Sequence, residues 1–220
     1  MFKQIFSNWR RSFAVKQFSL FVLFTILFFA FTAYFSIRII DFCEARKGVV
    51  LHDMLLRILP AVDVSNYIFF LTYSTIFLTF LSILPDPKLV LKGFQMYALL
   101  LLFRALFVWL VPLDPPKNMI LMPDQIGNFL MNNNHMPITK DLFFSGHTST
   151  LVLLFLIAKN RYLKIFILVL CGVVPILLLL QHIHYSIDII AAPAFALATY
   201  FMVNKTHEGL KSYLADDVYE

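Results

Sequence analysis

Charge is scarce in this chain, and so is cysteine. Asp, Glu, Lys and Arg together supply 14% of the 220 residues, while hydrophobic residues supply 60%; roughly 45–50% is the level of a soluble domain. Twenty-five phenylalanines exceed what one soluble core of this size holds. Such a chain precipitates in water unless lipid covers it, which excludes a soluble enzyme or carrier. The two cysteines fall in different settings, Cys43 in a polar segment and Cys171 inside an apolar run. They give no disulfide framework and no metal cluster, and each reads as a small hydrophobe. Internal repeats and low-complexity linkers are also absent, and the length fits one domain or two small ones.

A formal charge of +5 raises the question of a nucleic-acid partner. The lysines and arginines form no patch with interleaved polar loops. They stand beside long apolar runs, as cytoplasmic membrane flanks do. Lys3, Arg10, Arg11 and Lys16 precede an uncharged run from Phe18 to Ile37. That run is too long and too aromatic for a signal peptide, and no small-residue cleavage pattern follows it, so it reads as a retained first span.

A helix needs about 20 apolar residues to cross a bilayer core. Six segments approach that length: Phe18–Ile37, Val64–Leu84, Gly93–Leu113, Leu142–Ala158, Ile165–Ile183 and Tyr185–Val203. The expected fold is all-α, a polytopic six-transmembrane-helix bundle over residues 18–204. A basic segment, 1–17, precedes it and a tail, 205–220, follows. Leu51–Leu59 reads as a short amphipathic stretch at the interface. With the N-terminus inside, eleven lysines and arginines flank the inner side and six the outer, which favours both termini in the cytoplasm. The short, tail-poor chain points to a bacterial inner membrane. In this topology Arg104, the 113–141 loop, the start of the fourth run and the link at His182–His184 all share the outer face.

Ionisable groups within spans cost about 2.5–3.5 kcal/mol each and persist when they are paired or functional. Arg104 and Asp188 are the clear cases, and a structural ion pair between them is the plainest alternative to a site. His184 and Asp188 stand four residues apart, one helical turn, on the same face. A carboxylate on one ring nitrogen fixes the tautomer and leaves the other nitrogen as base or nucleophile. Ser145-Gly146-His147-Thr148 opens the fourth run. Ser145 suits an N-cap, Gly146 permits close approach to the backbone, and a helix N-terminus favours phosphate. His147 in that position can exchange a proton with a hydroxyl. Arg104 supplies a fixed positive charge for an anionic group. His182 cannot share the face of His184 and reads as a loop or packing residue. His135, beside Asn132–Asn134, falls on the outer loop, and His52 and His207 have no evident partners. The histidine and carboxylate spacing matches no zinc pattern.

Asp141-Leu142-Phe143-Phe144-Ser145-Gly146-His147-Thr148 and His184-Tyr185-Ser186-Ile187-Asp188 resemble the two signature motifs of the sphingomyelin synthase family, a branch of the type-2 phosphatidic acid phosphatase superfamily. Leu84-Pro85-Asp86 resembles the family's motif after the second span, and Arg104 with Pro112 and Pro115 is loosely similar to its Arg-to-Pro motif. The chain departs from the family at Thr139-Lys140, where Cys-Gly is usual, and at Ser186, where threonine is usual. It also lacks the superfamily phosphatases' Lys-x6-Arg-Pro element and their Ser-Arg pair, in whose place Leu177 and Leu178 stand.

The resemblance implies a six-span lipid phosphotransferase with no cofactor and no metal. Catalysis would rest on His147, His184 and Asp188, and substrate or phosphate binding on Arg104, Asp141, Ser145, Gly146 and Thr148. The partners would be membrane lipids: a glycerophospholipid donor and a ceramide or diacylglycerol-like acceptor, joined through a phosphohistidine. The loop 113–140 would shield the site from water. Hydrolysis by the same His/His/Asp site, a lipid phosphate phosphatase, is the alternative enzyme. A lipid transporter or scaffold is the alternative without catalysis.

Overall fold

In the computed structural model the described residues are 2–122 and 138–211. Eight α-helices and no β-strand are found among them: α1 Phe2–Ala14, α2 Lys16–Ala45, α3 Met54–Ile58, α4 Ser65–Ile83, α5 Pro87–Leu110, α6 Gly146–Ile157, α7 Arg161–Leu180 and α8 Ser186–Lys211. The expected loop position of His135 lies outside the described residues, as does most of the proposed 113–140 shield.

Five helices, α2, α4, α5, α7 and α8, are long and apolar enough to cross a bilayer. The apolar run Leu142–Ala158 behaves differently from the expectation of a sixth span. Its helix has 12 residues, a rise of about 18 Å, against the roughly 30 Å of a hydrocarbon core. Leu142–Ser145 stays outside the helix because Ser145 is its N-cap. In exchange α6 is central. Thr148, Ser149, Thr150, Leu151, Leu153 and Ile157 are buried, and α6 packs against α4, α5, α7 and α8. Of the other segments, α4 nearly keeps its expected limits, α5 and α7 start and end earlier in the chain, from Pro87 and Arg161, and α2 and α8 are longer. α8 runs to Lys211, past the expected start of the tail at 205, and α1 occupies most of the expected basic segment.

In lipid the drive for helix association is close packing rather than exclusion of water. Ala192 and Ala196 of α8 are fully buried against Met96 and Leu100 of α5 and Leu153 of α6. A second cluster joins Ile68 of α4, Leu151 of α6 and Leu170, Val174 and Leu178 of α7. α2 stands outside this core, mainly against α5.

The helices alternate in direction, so the bundle has two ends. At the lower end Asp86 caps α5 by accepting from Leu89 N at 3.1 Å, with Pro87 at the first helical position, where a missing N–H costs nothing. Lys159, just past α6, pairs with Asp86 at 2.6 Å. The Leu84-Pro85-Asp86 motif therefore serves as a helix link at the end opposite the candidate site. Here too His207, expected to have no partner, is buried, with Nε2 2.6 Å from Gln95 Oε1; Gln95 Nε2 donates to Thr25 Oγ1 at 2.7 Å. The chain ties α8, α5 and α2 together.

At the upper end the connections close over the bundle. Val49 bridges to Leu113, its N–H donating to Pro112 O at 2.9 Å. Gly48 is needed there, since a Cβ would lie 2.6 Å from Asp114 N. The interfacial stretch expected at 51–59 contains α3, whose cap is Asp53.

Candidate active site

Two helix N-termini meet at the upper end. That of α6 is capped by Ser145, whose Oγ accepts from Thr148 N at 3.4 Å and from Thr148 Oγ1 at 3.1 Å. That of α8 begins at Ser186, so His184 lies just before the helix and Asp188 in its first turn. Ser145 N donates to Asp188 O at 3.1 Å. This bond joins the two sequence motifs directly, 43 positions apart in the chain.

Asp188 Oδ2 lies 3.4 Å from His184 Nδ1 and accepts the Tyr185 N–H at 2.9 Å. The second contact is half of a capping box, a carboxylate reaching back to the amide that precedes its own helix. Both side chains are buried, Asp188 completely. A carboxylate oxygen accepts, so the Nδ1 proton points at Asp188 and the lone pair of His184 is on Nε2. Asp188 Oδ1 is buried with no hydrogen-bond partner among the described residues.

Arg104 reaches this place from the upper part of α5. Its Nη2 pairs with Asp141, and its Nη1 donates to Phe144 O at 3.1 Å. The alternative ion pair with Asp188 is not formed. Gly146 is the seat of the guanidinium: a Cβ there would fall within 2.7 Å of Arg104 Cζ, and closer still to Nη1. The open backbone expected to admit a ligand thus admits Arg104. Phe144 holds the segment from below, its fully buried ring stacked on Phe195 of α8 with centroids 4.0 Å apart. Direct contacts therefore run from Asp141 through Arg104, Phe144 and Gly146 to Ser145, Asp188 and His184. Thr148 belongs to the α6 cap. His147, half-buried in the same turn, has its ring centroid 6.3 Å from that of Phe69 on α4.

Several residues that hold this arrangement escaped the sequence reading. Asp53 Oδ2 accepts from Ser186 N at 2.6 Å and Oδ1 from Ser186 Oγ at 3.0 Å, while Oδ1 also caps α3 through Leu55 N and Leu56 N. One carboxylate thereby caps two helices, and a negative charge suits the positive end of α8. The legible signal was an Asp directly before an apolar stretch; its second helix, 133 residues on, left no trace. Burial alone would raise the Asp53 carboxyl. The donors from Ser186, Leu56 and Leu55 outweigh it and hold it below its ordinary value. The stability it supplies is therefore complete above the unfolded carboxylate value of about 3.9 and is lost as pH falls through the lower folded value. Asp53→Ala is expected to cost about 2 kcal/mol, two caps of about 1 kcal/mol each, in thermal unfolding of the detergent-solubilised protein. Asp53→Asn, which keeps an acceptor, should lose less. A loss no larger than that of an ordinary surface change would mean that the caps add nothing.

Gln181 is fully buried. Its Oε1 accepts from Val64 N at 2.6 Å and its Nε2 donates to Ser65 Oγ at 2.9 Å, fastening the α7–α8 link to α4. His182 is a packing residue of that link: it is buried, has φ 55°, and its Nε2 lies 3.2 Å from Leu59 O. On the other flank Glu44 accepts from Thr139 N, Thr139 Oγ1 and Lys140 N at 2.6, 2.9 and 2.6 Å, just before Asp141. Lys140 pairs with Asp114 at 2.9 Å and lowers the Asp114 carboxyl from its ordinary value. His52 is exposed. Among the described residues no three His, Cys, Asp or Glu side chains group as a metal-binding set.

Residues 140–206 match the family model of the PAP2 superfamily C-terminal. The match spans both histidine motifs and leaves out Arg104. No curated protein and no solved structure matches the chain.

Proposed function

We propose that the chain is a lipid phosphotransferase, moving a phospho-head group from a glycerophospholipid to a lipid acceptor such as ceramide through a phosphohistidine on His184. The observation that carries this reading is the buried His184–Asp188 pair, tied by the Ser145 N–H···O=C Asp188 bond to the helix terminus that bears His147. The likeness of residues 140–206 to the PAP2 superfamily supports chemistry on lipid phosphate esters.

Asp188 keeps the proton of His184 on Nδ1, and Nε2 attacks phosphorus. The P–O bond to diacylglycerol breaks as the N–P bond forms, and His147 gives its proton to the departing oxygen. In the second half His147 takes the proton of the acceptor hydroxyl, whose oxygen bonds to phosphorus as the N–P bond breaks. The α6 N-terminus and the guanidinium of Arg104 offset the phosphoryl charge. Asp141 and Phe144 O set the direction of that guanidinium and so act on position. The flanking cations Lys16, Lys88, Lys92, Lys159, Arg161 and Lys164 belong to the lower end. They support a cytoplasmic lower end and a site that faces away from the cytoplasm.

The test is the purified protein in vesicles that hold head-group-labelled phosphatidylcholine or phosphatidylethanolamine, with and without ceramide. Label is expected to pass to the acceptor lipid as free diacylglycerol appears. Release of a water-soluble phospho-head group that ignores the acceptor would make the protein a hydrolase. No P–O cleavage with any donor would end the enzymatic reading.

A further inference from the structure

α1 carries a feature that the chemistry above does not use. Around its axis at about 100° per residue, three faces separate. Asn8 and Trp9 form the docking face: Asn8 Nδ2 donates to Pro85 O at 2.7 Å, Trp9 Nε1 to Leu84 O at 2.9 Å, and Trp9 packs on the core of α5, α6 and α8. These two carbonyls end α4, where the helix itself supplies no donor. Beside Trp9, about 20–60° further round the axis, lies a face of Phe2, Phe6 and Phe13, which are 86%, 72% and 48% exposed. The third face carries Lys3, Arg10 and Arg11, all exposed. No acidic residue precedes Asp41 in the chain, so nothing on α1 neutralises these cations.

The docking bonds fix the height of the helix at the α4–α5 turn, the lower limit of two spans. A helix lying flat beside a bundle at that height meets protein on one side, acyl chains on the next and headgroups on the third. The order of the three faces matches that setting, and exposed phenylalanines beside cations with no carboxylate on their own helix suit an anionic bilayer surface. We propose that α1 is an interfacial recognition element, seating Phe2, Phe6 and Phe13 among acyl chains and binding anionic phospholipid through Lys3, Arg10 and Arg11. This is independent of the reaction assigned to the upper end.

Two measurements on the full chain test it. In a Cys43→Ala/Cys171→Ala background, nitroxides placed by Phe6→Cys or Phe13→Cys in phosphatidylcholine–phosphatidylglycerol nanodiscs should be open to oxygen and closed to a water-soluble nickel complex. Nitroxides at Gln4→Cys and Arg11→Cys should show the reverse. In mixed detergent, wild type should retain phosphatidylglycerol over phosphatidylcholine. The K3Q/R10Q/R11Q variant, altered at exposed positions, should lose that excess about fivefold or more with Tm unchanged. Nickel access at 6 and 13 equal to that at 4 and 11 would overturn the proposal. So would shielding from both reagents, which marks a protein partner, or unchanged lipid retention in the neutralised variant.

Discussion

Replacing His184 with alanine is expected to lower head-group transfer by at least about 10⁴-fold, some 5.5 kcal/mol of barrier, and to abolish acid-labile phosphate on the protein. The imidazole is the nucleophile in the proposed reaction, and no neighbour substitutes for it. The other histidine of this link, His182, is committed to Leu59 O. Asp188→Asn is the sharper experiment. The amide oxygen takes the place of Oδ2, where it accepts from both Tyr185 N at 2.9 Å and His184 Nδ1 at 3.4 Å, and its NH₂ falls at the Oδ1 position. The ring keeps its proton on Nδ1 and its attacking lone pair on Nε2. What is lost is the negative charge that offsets the imidazolium formed as Nε2 bonds phosphorus. A loss of about 10–10²-fold is expected, from the roughly 1.5–3 kcal/mol of a hydrogen bond to a charged group, with little change in KM. Rapid quench with labelled donor reads both effects: the trapped phosphoprotein vanishes in the first variant and forms slowly in the second. Turnover that survives His184→Ala would transfer the nucleophile's role elsewhere, and with it the whole mechanism.

The parts of this molecule that were legible in the sequence are those fixed by short-range rules. Val64–Leu84 was expected and Ser65–Ile83 is found, because apolar length and the Pro85-Asp86-Pro87 stop decide a span with little outside help. The Ser145 cap and the four-residue step from His184 to Asp188 are equally local. The rest depends on which of several partners the fold brings near. For Arg104 the sequence offers Asp188 or a phosphate; the fold adds Asp141, because the non-helical segment 142–145 brings that carboxylate beside α5. α6 lost a turn of its apolar run for the same reason. Asp53, Glu44 and Gln181 were invisible as site supports because their partners stand 95 to 133 residues away. α1 was different. Phe2, Phe6, Trp9 and Phe13 recur at helical spacing, but the cations interleaved with them give the segment the pattern of a basic membrane flank.

Gly146→Ala is expected to be among the most damaging small substitutions in the chain. The added methyl meets Arg104 at Cζ within 2.7 Å and at Nη1 nearer still. An exposed arginine would swing away at little cost. Arg104 has 14% of its side chain exposed, and it is tied to Asp141 and to Phe144 O. Moving the guanidinium strands Asp141, whose Oδ1 is already buried without a partner among the described residues. Breaking a fully buried pair costs about 3–5 kcal/mol; Asp141 keeps 24% of its side chain exposed, so a smaller loss should appear as a lowered Tm. Activity should fall as well, because the charge that faces the phosphoryl group is displaced from the α6 terminus. A double-mutant cycle separates this route from simple damage to the helix cap. If the methyl acts through Arg104, then Gly146→Ala adds almost nothing in an Arg104→Ala background, where the space is empty and the pair already gone. Additive losses across the cycle, within about 0.5 kcal/mol, would instead show that Gly146 matters to α6 itself and that Arg104 is not what requires a glycine there.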